Sequence, residues 1–121
     1  MITREESMKL ITYPKYQEDR TGSLVIKEAK LSPTETKITF KSIDSSKENV
    51  RIQHTASLIA GDEKYAIQRV EGISTADFEP FSDVTNMEFS LYFEPLPLIV
   101  EEFDFKEGRN DWQILGVSLE P

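Results

Sequence analysis

From Leu24 to Leu119, apolar and polar residues alternate in short runs separated by turn-forming residues. Alternation of this kind puts every second side chain on one face of an extended chain, so each run predicts a half-buried β-strand. Leu24 to Leu31 is the first, closed by the turn Ser32-Pro33-Thr34-Glu35. In Thr36 to Ile43, Ile38 and Phe40 face one way while Lys37, Thr39 and Lys41 face the other. Val50 to Ala60 places Val50, Ile52, Ala56 and Leu58 on a common face. After the turn Gly61-Asp62-Glu63-Lys64, the run Tyr65 to Ile73 returns as a hairpin.

Ser74 to Asn86 is the longest irregular stretch. Beyond it, Met87 to Phe93 turns Phe89, Leu91 and Phe93 inward and Glu88, Ser90 and Tyr92 outward. Pro95 and Pro97 lack backbone donors and break the ladder. Glu102 to Lys106 alternates around Phe103 and Phe105, Gly108-Arg109-Asn110-Asp111 turns the chain, and Trp112 to Leu119 is apolar on both faces, as a central strand is. The N-terminal residues 1–20 read differently. Pro14 pushes its predecessor toward extended geometry, so an extended entry is expected, with a short helix over Met1 to Glu6 as the alternative.

About seven short strands with no amphipathic helix predict an all-β fold over residues 21–121. The first expectation is an antiparallel β-sandwich of immunoglobulin-like type, and a small barrel is the second. At 121 residues the chain is long enough for one domain with its own core. It has no cysteine, which excludes thiol nucleophiles, redox pairs and cysteine-held zinc within it. The net charge of −8 and the lack of a basic run argue against nucleic acid and against an anionic membrane surface. No stretch is long and apolar enough to span a bilayer as a helix, so membrane insertion is not expected.

Few residues offer chemistry. His54 is the only histidine, and the alternation turns it inward beside Ile52 and Ala56, where a satisfied, partly buried imidazole is the plainer reading. Glu102, Asp104 and Asp111 are weak metal candidates: calcium wants converging oxygen ligands, whereas strand-face carboxylates diverge from those in a turn. The glycines are scattered, none in a spacing that cradles phosphate, and no cofactor is expected. Exposed aromatics remain. Tyr13, Tyr16, Tyr92 and the loop residues Phe78, Pro80 and Phe81 offer an apolar patch for a protein or a platform for a glycan.

A family pattern lies in these strands. Tyr13-Pro14-Lys15-Tyr16, Leu24-Val25-Ile26-Lys27 and Leu31 to Phe40 are followed by Tyr65-Ala66-Ile67 and Glu71-Gly72-Ile73. Then come Phe89-Ser90-Leu91-Tyr92-Phe93-Glu94-Pro95-Leu96-Pro97, Phe103-Asp104-Phe105-Lys106-Glu107-Gly108 and the closing Trp112 to Leu119. The chain resembles the N-terminal β-sandwich domain that precedes the thioredoxin-like domain of many Bacteroidetes disulfide reductases, a domain also found in uncharacterised envelope proteins. The resemblance implies a periplasmic or cell-envelope setting and a non-catalytic accessory role. That role is to position a neighbouring domain or dock a partner protein through a sheet edge or through Phe78, Pro80, Phe81 and Tyr92. The family's redox motif belongs to the following domain and has no counterpart in these residues. A carbohydrate-binding module is the alternative.

Overall fold

The computed structural model of the chain describes residues 9–20, 24–42, 56–71, 88–106 and 113–120. Among these there is no helix, and the strands are β1 (Lys9–Thr12), β2 (Glu18–Asp19), β3 (Leu24–Leu31), β4 (Thr36–Ser42), β5 (Ser57–Ala60), β6 (Glu63–Glu71), β7 (Glu88–Phe93), β8 (Glu102–Lys106) and β9 (Gln113–Ser118). Strands β3 to β9 fall on the seven runs read from the alternation, although the run Val50 to Ala60 is described only from Ala56, the run Tyr65 to Ile73 only as far as Glu71, and β6 begins earlier than expected, at Glu63. Two further strands, β1 and β2, lie in the N-terminal segment.

Every pairing is antiparallel, in the order β1-β3-β4-β7-β6-β5-β8-β9-β2. The sheet is curled into a half-barrel. Strand β6 makes the corner: Glu63 to Ala66 pair with β5, Ile67 to Glu71 pair with β7, and the register shifts between Ile67 and Arg69. Register shifts also fall at Ile26/Glu28 and Phe103/Phe105. An extra residue on one strand bends it and tightens its twist, which is what a strongly curled sheet requires.

Side chains on the concave face measure the curl. Four steps of the sheet separate β4 from β8, roughly 19 Å if it were flat. Yet the Phe40 ring lies 5.0 Å from that of Phe105, and Phe93 meets Phe105 edge-on at 6.4 Å. Phe40 also stacks on Phe89 at 5.2 Å. With Ile38, Leu58, Leu91 and Phe103 these rings fill a fully buried core. Gly61 and Asp62 join β5 to β6, and the positive φ of Gly61 (63°) matches the glycine-first pattern of a tight hairpin turn.

The two ends of the sheet meet at the N-terminal segment. β1 forms one edge on β3, β2 forms the other on β9, and only residues 13–17 separate them. The Tyr13 amide donates to the Lys27 carbonyl (2.7 Å), whereas Ser118 donates to Lys15 (2.7 Å) and Gln17 to Leu115 (2.9 Å). Within this strap the chain transfers its hydrogen bonds from β3 to β9. Gly116 makes room for it: its φ is +64°, and a Cβ there would sit 2.6 Å from Cγ and Cδ of Gln17.

Candidate functional site

The strap and the free edge of β1 carry three of the four exposed large apolar side chains of the described residues; the fourth is Ile99, in the connection between β7 and β8. Leu10, Tyr13 and Tyr16 are 56%, 57% and 49% exposed. Beside them runs a groove of about 410 Å³, lined by Leu10 to Lys15 on one side and by Ser118 and Glu120 on the other. Tyr13 holds a φ of 45°, the left-handed region that a bulky L-residue adopts only at a cost.

Hydrogen-bond phase decides which groups face the groove. Residues paired in an antiparallel ladder alternate between exchanging two hydrogen bonds and exchanging none. Tyr13 lies opposite Lys27 in the register that pairs Lys9 with Leu31 and Ile11 with Ala29, and its amide is bonded to Lys27. Lys9, Ile11 and Tyr13 therefore spend their main-chain groups on β3. Leu10 and Thr12 turn theirs outward, to the free edge.

A second polar cluster covers the convex face of β3, β4, β7 and β6. Tyr92 points outward as the alternation predicts, but it is buried, at 5% exposure, rather than presented to a partner. The Arg69 guanidinium lies 3.6 Å from its ring centroid, Lys37 Nζ lies 5.6 Å away, and the hydroxyl donates to Glu71 (3.0 Å). Arg69 also donates to both carboxylate oxygens of Glu35, at 3.1 and 3.3 Å. Partial burial works to lower the Arg69 pKa; the hydrogen bond and charge of Glu35 outweigh it and leave the guanidinium above its ordinary value. Lys27 is raised by the hydrogen bond and charge of Glu88. Lys30 and Lys37 stand directly opposite each other in the β3–β4 register, and neither has an ion-pair partner among the described residues.

Of the metal candidates, Glu102 and Asp104 lie among the described residues. Asp104 Oδ1 accepts the Gly116 amide (2.8 Å) beside the β8–β9 register shift, and Glu102 is exposed at the start of β8. Among the described residues no group of three or more candidate ligands comes together. Asp104 thus clamps the backbone of β9 opposite the strap. Asp111, His54, Phe78, Pro80, Phe81 and Trp112 lie outside the described residues. Sequence reasoning missed Leu10 and the free edge of β1. The alternation over Lys9 to Thr12 is too short to stand out from the extended segment around it.

No family model, curated protein or solved structure matches this chain.

Proposed function

We propose that this chain is a non-catalytic accessory or interaction domain that docks a partner protein or a neighbouring domain, in the setting of a bacterial cell envelope. One observation carries the reading: an exposed tyrosine held in a costly backbone conformation at the rim of an open groove. At Tyr13 the backbone favours glycine, which enters the left-handed region without penalty. Its ring is largely exposed, so a contact outside the chain accounts for an aromatic residue there. Leu10 and Tyr16 extend the same strip. The envelope setting rests on the family resemblance alone. Phe78, Pro80 and Phe81 stay in the proposal as a second docking element.

A two-layer β-sandwich is supported by the ring contacts of β4 and β7 with β8. Immunoglobulin domains place their second strand beside the fifth, in the sheet opposite the third. In this chain consecutive strands pair as β3–β4, β5–β6, β6–β7 and β8–β9, so the likeness is to the layered architecture rather than to that strand order.

The alternative, a carbohydrate-binding module, draws on the same two tyrosines beside a groove. A pull-down from envelope extract separates the readings, with wild type, Tyr13→Ser/Tyr16→Ser and Phe78→Ser/Phe81→Ser as baits. A protein held by wild type and lost from the first variant supports docking at the strap; loss from the second alone moves the interface to the loop. Equal capture by all three refutes both sites. Binding on a glycan array, lost with the tyrosines, replaces docking by sugar recognition.

A further inference from the structure

We infer that the free edge of β1 receives an extended acidic segment of a partner protein by strand addition, a step that rests on the docking reading above. The main-chain groups of Leu10 and Thr12 are turned away from β3, and the groove in front of them is open. Unpaired strand groups of this kind template another strand, and main-chain hydrogen bonds then supply affinity.

The rows of side chains crossing the sheet set the chemistry of the added strand. On the convex face, Leu10 stands opposite Lys30, Lys30 opposite Lys37, and Lys37 opposite Tyr92. Like charges directly opposite each other are unfavourable, and Lys30 and Lys37 lack a carboxylate partner among the described residues. An incoming residue opposite Leu10 extends this row, and a carboxylate there relieves it by reaching toward Lys30 over the exposed Leu10. Lys15 lines the groove and adds to the attraction; Glu120 is the one carboxylate lining it. On the other face, the residue opposite Ile11 meets a side chain that is already buried, and is therefore apolar. The residue opposite Thr12 extends a different row, Thr12–Glu28–Thr39, where a second carboxylate would face Glu28, so it is neutral and polar. The segment recognised alternates polar and apolar residues, with its carboxylate opposite Leu10.

Hydrogen-bond phase adds a sharper requirement. Residues opposite Leu10 and Thr12 exchange main-chain hydrogen bonds with them, and those are the polar positions on the convex face, the carboxylate opposite Leu10 among them. In a blocked Val-Thr-Val-Glu-Val peptide laid antiparallel to β1, with glutamate opposite Leu10 and threonine opposite Thr12, the threonine and glutamate amides face β1 and the valine amides face away.

The experiment titrates the 15N-labelled chain with this peptide, with its Val-Thr-Val-Lys-Val counterpart, and with versions N-methylated either on threonine and glutamate or on the valines. Binding is expected to shift the Leu10 and Thr12 amides and slow their exchange. N-methylation of threonine and glutamate weakens it about tenfold or more, the loss of two hydrogen bonds, whereas N-methylation of the valines leaves it nearly unchanged. Lys30→Ala removes the preference for the glutamate peptide over the lysine peptide. No shift at Leu10 and Thr12 overturns strand addition. Equal binding of both peptides overturns the acidic partner, and shifts that grow on concentrating the protein alone assign the edge to a second copy. Tyr13→Ser/Tyr16→Ser bait in the pull-down tests the docking reading separately: its partner is lost if the strip docks proteins by side chains, whatever the peptides do.

Discussion

Thr36 begins β4 with no exposed surface, and its hydroxyl ties down the connection between β7 and β8. Oγ1 donates to the Glu94 carbonyl (3.1 Å) and accepts the Leu96 amide (2.8 Å). Glu94 is also tied to β6, its amide donating to the Ala66 carbonyl and its carboxylate accepting the Ala66 amide (both 2.9 Å), but beyond it Pro95 and Pro97 supply no amide. Thr36→Val keeps the shape and removes both bonds. Glu94 is exposed, so water can reach its carbonyl region, but Leu96 is 2% exposed and its amide is stranded. A buried donor left unpaired costs about 1–3 kcal/mol, and losing the second bond brings the expected total to about 2–3 kcal/mol.

Unfolding entropy near 2.1 cal/mol/K per residue gives about 0.25 kcal/mol/K for a chain of this length, so Tm should fall by roughly 8–12 °C. Thr36→Ser is the control: it keeps the hydroxyl and loses one buried methyl, about 1 kcal/mol. Urea unfolding and thermal melts should therefore rank wild type above serine and serine above valine, although valine is the more apolar residue in a buried place. A valine variant as stable as the serine variant would refute the reasoning. It would mean that the Leu96 amide finds another partner once the hydroxyl is gone.

Two further perturbations probe the strap and the curl. Gly116→Ala forces an L-residue to a φ of +64° and its Cβ against Gln17, which is exposed and can swing aside; the backbone term of about 1–2 kcal/mol should remain. Faster hydrogen exchange at the Gln17 and Ser118 amides, with the amides of β3 and β4 unchanged, would mark loosening of the strap; unchanged exchange would show that the close approach is not needed. Phe105→Ala removes the ring that Phe40 and Phe93 share across the curl and should cost about 3–5 kcal/mol in urea unfolding, a large part of a typical domain's stability. A cost near 1 kcal/mol would mean the two parts of the sheet do not depend on that contact.

The elements legible in the sequence were those with a buried face. In β4, β7 and β8 the large apolar residues fall at alternate positions, in β3 the period shifts at the bulge, and β9 is a nearly continuous apolar run; Phe40, Phe89, Phe93, Phe103 and Phe105 all lie in the core. β1 and β2 were not legible as strands, for a physical reason. An edge strand has one neighbour and buries little: of β1 only Ile11 is buried, and β2 is two residues long. Such strands are fixed by main-chain pairing, which leaves no hydrophobic period to read. Tyr92 shows the opposite failure. The alternation gave its direction correctly, but local sequence carries no record that Arg69, from the neighbouring strand, covers its ring. The lysines of the convex face are likewise scattered along the chain and come into one row only through the β3–β4 register.

That same distinction explains why the candidate site lies where it does. A curled sheet that stops short of closing must leave two edges, and here both belong to one short stretch of chain, with residues 13–17 crossing between them. The strap pairs first with β3 and then with β9, so it cannot also cover the outward groups of Leu10 and Thr12. The open edge is thus a consequence of how the two ends of the sheet are joined. An acidic chain that carries its unpaired lysines across that half of the sheet also keeps like copies apart at long range while leaving the edge attractive to a carboxylate-bearing strand. Net charge and local charge oppose each other there, and the register of β1, β3 and β4 decides which one a partner meets at contact.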